Sequence, residues 1–187
     1  ALSEQGRLAY ESGNLKLARS ALERFIREDE AAKKGENPFK KGAPPQRPRV
    51  MYHLGWVEST EEKHEAAAER FSKVPNNHPL GSDAALQHGI ALVNHGNFEV
   101  AAKHFPQMLN QFKDHEKLNL IIYYAGLSAA KQEDWKNAAG HFKRFTASYP
   151  KSENHDQALY EWAWAERGLK NDKEAVRLYD ELLAKHP

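Results

Sequence analysis

The chain has 187 residues, with 27 lysines and arginines against 26 aspartates and glutamates and a formal net charge of +1. This balance argues against a nucleic-acid ligand, because phosphate-binding surfaces usually show an excess or stripe of basic residues. No apolar run approaches the roughly 20 residues of a bilayer helix, the mean hydropathy is −0.82, and the absence of cysteine excludes disulfides and thiol chemistry.

The first predicted element is a pair of helices within residues 1–34. Apolar and small side chains recur at spacings of three and four on both sides of Ser12-Gly13-Asn14, which is the period of amphipathic helices. Glycine can adopt the positive φ that ends a helix, and asparagine is suited to begin the next one. We therefore predict a helical hairpin here, in which Gly6, Gly13, Ala18, Leu22 and Phe25 occupy the repeated positions.

A segment rich in proline, lysine and arginine follows at residues 35–49. Its composition predicts an exposed and partly extended loop. Pro45-Gln46-Arg47-Pro48-Arg49 matches the PxxP pattern of proline-rich ligands, although a plain linker produces such short matches as well. Its basic side chains could contact an acidic partner or a lipid surface, and the alternative is a solvated loop.

Four further helix pairs are predicted within residues 50–187, at about 48–79, 82–113, 119–150 and 156–187, as one continuous array. An alanine recurs at intervals of 34, 37 and 37 residues, and an aromatic residue follows four positions later: Ala67 and Phe71, Ala101 and Phe105, Ala138 and Phe142, Ala175 and Tyr179. A glycine stands twelve positions before the first three alanines, at Gly55, Gly89 and Gly126. A fixed period of this size indicates stacked copies of one unit.

The order of glycine, small residue, aromatic ring and closing proline in each helix pair resembles a tetratricopeptide repeat (TPR). The resemblance implies an all-α fold, a right-handed α-solenoid of about five helical hairpins. The chain departs from the repeat pattern at Glu62, Glu133 and Lys170, where the turn glycine is usual, and at Lys113, where the closing proline is usual. The small and large residues at these positions serve close helix packing, so we expect them to be structural.

In this family, partner segments bind a concave groove lined mainly by the first helix of each pair. Carried over position by position, the groove is predicted to consist of apolar and aromatic side chains at Tyr52, Trp56, Leu86, Ile90, Tyr123, Tyr124, Leu127, Tyr160 and Trp164. Polar residues are predicted to form its rim at Arg49, His53, Gln87, Asn94, Lys131 and Arg167. Aromatic anchors with a polar rim suit peptide binding. The alternative is that these rings pack on neighbouring first helices as part of the core.

The resemblance implies a non-catalytic adaptor that binds a segment of another protein, with no cofactor, metal or nucleic acid. The alternatives are a scaffold that self-associates through its ends and a regulatory TPR region of a larger enzyme or signalling protein. The clamp with which some TPR co-chaperones hold a terminal carboxylate is not matched, because those groove positions hold Ser3, Arg7, His53, Asp83 and Gln87. The ten histidines are scattered singly, without the spacing of a metal site.

The 37-residue spacing and the closing segments Tyr149-Pro150-Lys151-Ser152 and Lys185-His186-Pro187 are similar to bacterial cell-envelope TPR proteins, among them the periplasmic protein of the Tol-Pal system. This likeness implies a periplasmic or cell-envelope location rather than a cytoplasmic one. The sequence stops directly after a second helix, whereas solenoids normally finish with a polar capping helix. We therefore expect either a fragment of a longer array or an end-to-end contact between copies.

Overall fold

The computed structural model describes residues 2–33 and 46–185, whose regular elements are ten helices and no strand. The predicted all-α class is therefore confirmed. The helices are α1 (Leu2–Glu11), α2 (Leu15–Lys33), α3 (Gln46–Thr60), α4 (His64–Ser72), α5 (Gly81–Asn94), α6 (Phe98–Gln111), α7 (Leu118–Lys131), α8 (Trp135–Ser148), α9 (His155–Gly168) and α10 (Asp172–Lys185). They fall into two compact units, Ala1–His95 and Gly96–Pro187.

Each turn inside a predicted helix pair contains one residue in the left-handed backbone region. Glycine occupies it at Gly13 and Gly96, with φ of 78° and 84°. Charged residues occupy it at Glu62, Glu133 and Lys170, with φ of 58°, 57° and 60°. The three positions that lack the usual turn glycine therefore keep its conformation, and the predicted position of each turn is confirmed.

Where its side chain accepts a hydrogen bond, the residue after the left-handed position caps the next helix, as Asn14 and Asp134 do. Oδ1 of Asn14 accepts a hydrogen bond from the backbone N–H of Leu17 at 3.1 Å. Asp134 does the same for the N–H of Asn137 at 3.3 Å. These side chains satisfy a donor that the first helical turn leaves without an intrahelical partner, so the turn ends one helix and caps the next.

The repeated glycines and rings pack as their spacing predicts. Phe71, Phe105 and Phe142 are fully buried. A Cβ atom added to Gly55 would lie 2.7 Å from the ring of Phe71, and one added to Gly126 would lie 2.9 Å from the ring of Phe142. The absence of a side chain thus lets the ring of the second helix lie against the first helix.

Within the first unit each helix packs on the next from α1 to α5, and α1 also contacts α3. A buried cluster that includes Ala9, Ala18, Leu22 and Leu54 joins its first three helices. Within the second unit the helices from α6 to α10 likewise pack in chain order, and α7 also contacts α9. The core of this unit contains Phe142, Phe145, Leu159, Trp162 and Leu178.

The predicted loop at 35–49 needs a correction at its end, because α3 begins at Gln46 and residues 46–49 form its first turn. Pro48 is tolerated there, since the first N–H groups of a helix have no intrahelical acceptor. Arg47 pairs with Asp29 and Glu30 of α2, the latter at 3.0 Å, which joins this turn to the first hairpin. The remainder of the predicted loop, 35–45, lies outside the described residues.

Among the helices that the structure describes, none combines the length and the apolar character that crossing a bilayer requires.

Candidate functional site

In the first unit the predicted groove residues Tyr52 and Trp56 lie one helical turn apart on α3, and both side chains are half-buried. Each ring meets the buried ring of Phe71 edge-on, with 5.9 Å between centroids. The two rings are 6.3 Å from each other. The aromatic side chains are therefore fixed on the core at one edge and remain partly accessible at the other.

A hydrogen bond joins two neighbouring first helices of this unit. The hydroxyl of Tyr52 on α3 donates to the carboxylate of Asp83 on α5. Burial, and secondly this bond to Asp83, raises the pKa of Tyr52 well above its usual value. Tyr52 therefore agrees in part with the alternative that these rings belong to the packing between first helices, because its side chain links α3 to α5.

The predicted rim residue His53 lies beside Tyr52, with 5.5 Å between ring centroids. Burial, followed by the positive charges of Arg49 and Arg7, lowers the pKa of His53 below its usual value. The imidazole is therefore neutral at pH 7 and can accept or donate a hydrogen bond. The other rim positions of this unit are open to solvent to different degrees: Arg49 and Asn94 are exposed and Gln87 is half-buried.

Leu86 corrects the predicted groove, because its side chain is fully buried and belongs to the core. It occupies the same repeat position as Tyr52, Tyr123 and Tyr160. Its shorter side chain ends below the level at which the tyrosine rings emerge. Ile90, the next predicted groove residue on α5, is half-buried.

In the second unit α7 carries Tyr123, Tyr124 and Leu127, all half-buried. The ring of Tyr123 lies 5.7 Å from Phe145 and its pKa is raised to about 12, first by burial and then by the charge of Glu161. Tyr124 stacks on the buried ring of Phe105, with 5.8 Å between centroids and 14° between planes. Burial raises the pKa of Tyr124 as well. The environment of Tyr124 therefore resembles that of a core residue more than that of a groove anchor.

The most exposed of the predicted aromatic residues are Tyr160 and Trp164 on α9, with 42% and 43% of their surface accessible. The guanidinium carbon of Arg167 lies 4.8 Å from the centroid of the Trp164 ring, which is a cation–π contact. Arg167 and the other predicted rim residue of this unit, Lys131, are exposed. Neither has an acidic partner among the described residues. This face of α9 therefore offers two rings and an unpaired cation to a partner.

The arrangement supplies apolar contact area, hydrogen-bonding groups and positive charge, which are properties of a binding surface. Across residues 2–33 and 46–185, no three histidine, aspartate or glutamate side chains come together in a group that could hold a metal ion.

Three basic residues outside the predicted groove, Lys113, His141 and Arg144, line a cavity in the second unit. The side chain of His141 is half-buried. The one signal in the sequence was Lys113, which replaces the closing proline. Trp162 was likewise not singled out: it is buried, and its indole N–H donates to Glu166 at 2.8 Å.

The repeat pattern and the packed hairpins agree with a comparison to known families. Sequence models of the tetratricopeptide repeat family match residues 3–85, 121–152 and 157–187, which together are most of the chain. The chain belongs to the tetratricopeptide repeat family. Proteins of this family generally bind other proteins or peptides and are generally non-catalytic.

Solved TPR structures share the fold. MamA is 15% identical, with a TM-score of 0.77 over 98% of this chain and 89% of that one. A MamA fragment from Desulfovibrio magneticus RS-1 is 12% identical, with a TM-score of 0.73 over 98% and 92%. YrrB, a TPR protein with an unusual peptide-binding site, is 16% identical, with a TM-score of 0.76 over 97% and 83%. At these identities the likeness concerns the fold alone. No curated protein sequence matches this TPR chain significantly.

Proposed function

We propose that this TPR protein is a non-catalytic adaptor that holds a segment of a partner protein against the aromatic residues of its first helices. The observation that carries the proposal is the exposure of Tyr160 and Trp164 beside the unpaired guanidinium of Arg167. Large rings that stay accessible, together with arginine, are the residues that contribute most to protein interfaces.

The environment of these rings favours binding over a purely structural role. Tyr160 contacts Tyr179 of α10, with 5.9 Å between centroids, and this contact limits the freedom of its side chain. A ring held in place before binding loses little conformational entropy when a partner covers it. The half-buried rings of Tyr52, Trp56 and Tyr123 are held in the same way by the core.

The proposal is tested by selecting peptides that bind the protein from a displayed library and measuring their affinity for variants by calorimetry. Trp164→Ala should weaken the selected peptides by roughly tenfold or more, because it removes an anchor. Val100→Ala, which truncates a similarly exposed apolar residue on α6, is the matched control and should leave affinity unchanged.

Thermal melting separates binding from stability in the same variants. Trp164→Ala should melt close to the parent, since much of its ring is already in water. Trp56→Ala should lower the melting temperature, because that ring packs on Phe71. Unchanged peptide affinity in Trp164→Ala, or a loss of stability as large as that of Trp56→Ala, would contradict the adaptor proposal.

We propose a bacterial cell envelope as the setting of this adaptor. The support is the likeness of the closing segments Tyr149-Pro150-Lys151-Ser152 and Lys185-His186-Pro187 to envelope TPR proteins, and the absence of cysteine agrees with it. Fractionation of cells that express the complete gene product tests the location. Recovery in the periplasmic or membrane fraction is expected, and recovery in the cytoplasm would contradict it.

A second candidate function is self-assembly, and two exposed apolar sites favour it. Leu8 on α1 is 52% exposed. It stands two positions after the helix glycine of its repeat, Gly6. The residues at this position in the four later hairpins are all buried: Val57, Ala91, Ser128 and Ala165. The first helix therefore exposes a leucine at a position that the other first helices bury.

Val176 on α10, the last helix, is likewise exposed at a position that two other helices bury, with 57% of its surface accessible. The residues at the same repeat position in α4 and α8, Ala68 and Ala139, are buried. A second copy that placed its α1 against α10 would cover both sites.

Light scattering at increasing protein concentration tests self-assembly. The average molecular mass should increase with concentration for the parent and for Val100→Glu, but not for Val176→Glu. A concentration-independent monomer would exclude it.

A further inference from the structure

A cavity of about 490 Å³ lies in the second unit, bounded by the end of α6, the start of α7 and one face of α8. Its volume is within the range of about 300 to 1,000 Å³ that is common for ligand sites. Pro106, Leu109 and Leu118 form an apolar side of this cavity. The other side is polar and is formed by Asn110 and three basic residues. None of these residues belongs to the predicted groove.

The basic side is formed by Lys113, His141 and Arg144, and no acidic residue lines the cavity. Within the described part of the chain, neither Lys113 nor Arg144 has an acidic partner. Some other cations of the same unit are paired, for example Lys103 with Glu99 at 2.6 Å and Arg177 with Glu174 at 2.7 Å, whereas Lys131 and Arg167 are not paired among the described residues. The cavity therefore gathers positive charge that the protein itself does not neutralise.

The pKa of His141 depends both on its burial and on the charges around it. Burial, and then the charge of Arg144, lowers its pKa, while Asp134 acts in the opposite direction. An anion placed in the cavity would favour the protonated imidazole and would raise this pKa. The histidine thus supplies an internal measure of occupancy.

One of the basic residues, Lys113, is particular to this place in the array. Lys113 stands where three other repeats have the closing prolines Pro79, Pro150 and Pro187. At the position of Arg144, the neighbouring second helices α6 and α10 have Gln107 and Glu181, whereas the basic residues Arg24 and Lys73 stand there in α2 and directly after α4. Since general helix packing does not require these charges, they are available for recognition.

We propose that this cavity is a second binding site, separate from the groove, that takes an acidic segment of a protein partner. Side-chain carboxylates of the segment would contact Arg144, Lys113 and His141, and an adjacent apolar side chain would lie on Leu109 and Leu118. A small inorganic anion would leave the apolar side in contact with water. The combination of apolar and basic surface therefore favours a peptide that carries both kinds of group.

The test uses a capped tripeptide, acetyl-Asp-Leu-Glu-amide, titrated into the complete chain while the signals of the histidine rings are followed by NMR. Saturable shifts at His141 and a rise in its pKa are expected. Arg144→Glu should weaken binding by roughly tenfold or more, because it places a like charge beside the carboxylates. Lys136→Glu makes the same kind of charge change elsewhere on α8, and it should have little effect.

Two further probes decide the class of ligand. The uncharged analogue acetyl-Asn-Leu-Gln-amide should not bind measurably, and inorganic phosphate should bind more weakly than the acidic tripeptide. Phosphate that binds as tightly as the tripeptide would show a simple anion site and would overturn the proposal. Absence of saturation, or equal losses in Arg144→Glu and Lys136→Glu, would overturn it too. Trp164→Ala should leave tripeptide binding unchanged, so failure at the cavity is distinguishable from failure at the groove.

Discussion

Lys170 adopts a left-handed backbone conformation, with φ of 60°, that glycine adopts at the equivalent turns of other hairpins. This conformation costs a residue with a Cβ atom about 1 to 2 kcal/mol. Glycine avoids that cost but loses more conformational entropy on folding, about 0.4 to 1 kcal/mol. Lys170→Gly should therefore gain up to about 1 kcal/mol, which raises the melting temperature of a chain this size by about 2 to 4 °C.

Thermal melting followed by circular dichroism measures this effect. Gly96→Ala is the reciprocal variant, since it introduces a Cβ atom at φ of 84°, and it should melt at a lower temperature than the parent. A lower melting temperature for Lys170→Gly would mean that the lysine side chain contributes more to the turn than its backbone conformation costs.

Tyr123 gives the chain a dependence of stability on alkaline pH. Its pKa is raised to about 12 in the folded protein, compared with about 10 for an unperturbed tyrosine. Because the folded state binds this proton more tightly, its contribution is complete below about pH 10 and is lost as the pH rises towards about 12. Tyr123→Phe should remove that loss.

Chemical denaturation of the parent and of Tyr123→Phe at about pH 9 and about pH 11 tests the sign. The stability of the variant relative to the parent should increase at the higher pH. A constant difference between the two proteins would show that Tyr123 ionises with equal ease in the folded and unfolded states.

At the scale of helices, Glu58 is a buried acid where α2, α3 and α4 meet. Its Oε1 accepts from Arg19 at 3.5 Å and from Arg70 at 3.4 Å. Within the described residues, its Oε2 has no hydrogen-bond partner. Because the contacts of this carboxylate are long and one oxygen is unsatisfied, its interactions offset little of the free-energy cost of removing it from water. The residue at the same repeat position in α5 is the buried Leu92, so a leucine side chain fits such a site.

Glu58→Leu should therefore be neutral or should raise the free energy of unfolding by up to about 2 kcal/mol, as measured by urea denaturation. Arg19 keeps Glu61 as a partner at 2.7 Å and Glu23 at 3.2 Å, whereas Arg70 loses its ion pair with Glu58 and has to be solvated at its partly exposed position. A large loss of stability in this variant would identify Glu58 as an anchor between the three helices.

The helix pairs were predictable from the sequence because each depends on a few local requirements. Gly13 and Gly96 mark two turns, and a ring beside a helix glycine marks the packing of α3 with α4 and of α7 with α8. The start of α3 was not predictable in the same way. Prolines and basic residues read as a loop, whereas the contact of Arg47 with α2, which helps to hold that first turn, involves residues far apart in sequence.

The candidate site was predictable only in outline. Repeat position placed Tyr160 and Trp164 on an exposed face. It also selected Leu86, although the length of a side chain decides whether it emerges from beneath its neighbours. The basic cavity could not be predicted from the sequence, because Lys113 and Arg144 are 31 residues apart and come together only when the helices pack.

At the scale of the whole molecule, an interface between α1 of one copy and α10 of another joins unlike surfaces. Such an interface adds copies head to tail, into a ring where the rotation between copies closes and into an open chain where it does not. Leu8→Glu blocks one end and Val176→Glu blocks the other, which leaves each variant with a single usable face. Each variant alone should stay monomeric, whereas an equimolar mixture should form dimers and nothing larger.

Analytical ultracentrifugation of the two variants, alone and mixed, distinguishes this geometry from a symmetric pairing. A symmetric contact through α10 would let Leu8→Glu dimerise by itself. A mixture that stays monomeric would contradict any contact between these two faces.

The bond from Tyr52 to Asp83 also has a mechanical consequence. It acts as a cross-brace between α3 and α5, and widening that space requires breaking a hydrogen bond to a carboxylate, at a cost of about 1.5 to 3 kcal/mol. Tyr123 has the same place in its own repeat, yet its hydroxyl has no hydrogen-bond partner within residues 46–185. The space between α3 and α5 therefore resists widening through this bond, whereas the ring of Tyr123 is held in the second unit by its contacts with Phe142 and Phe145.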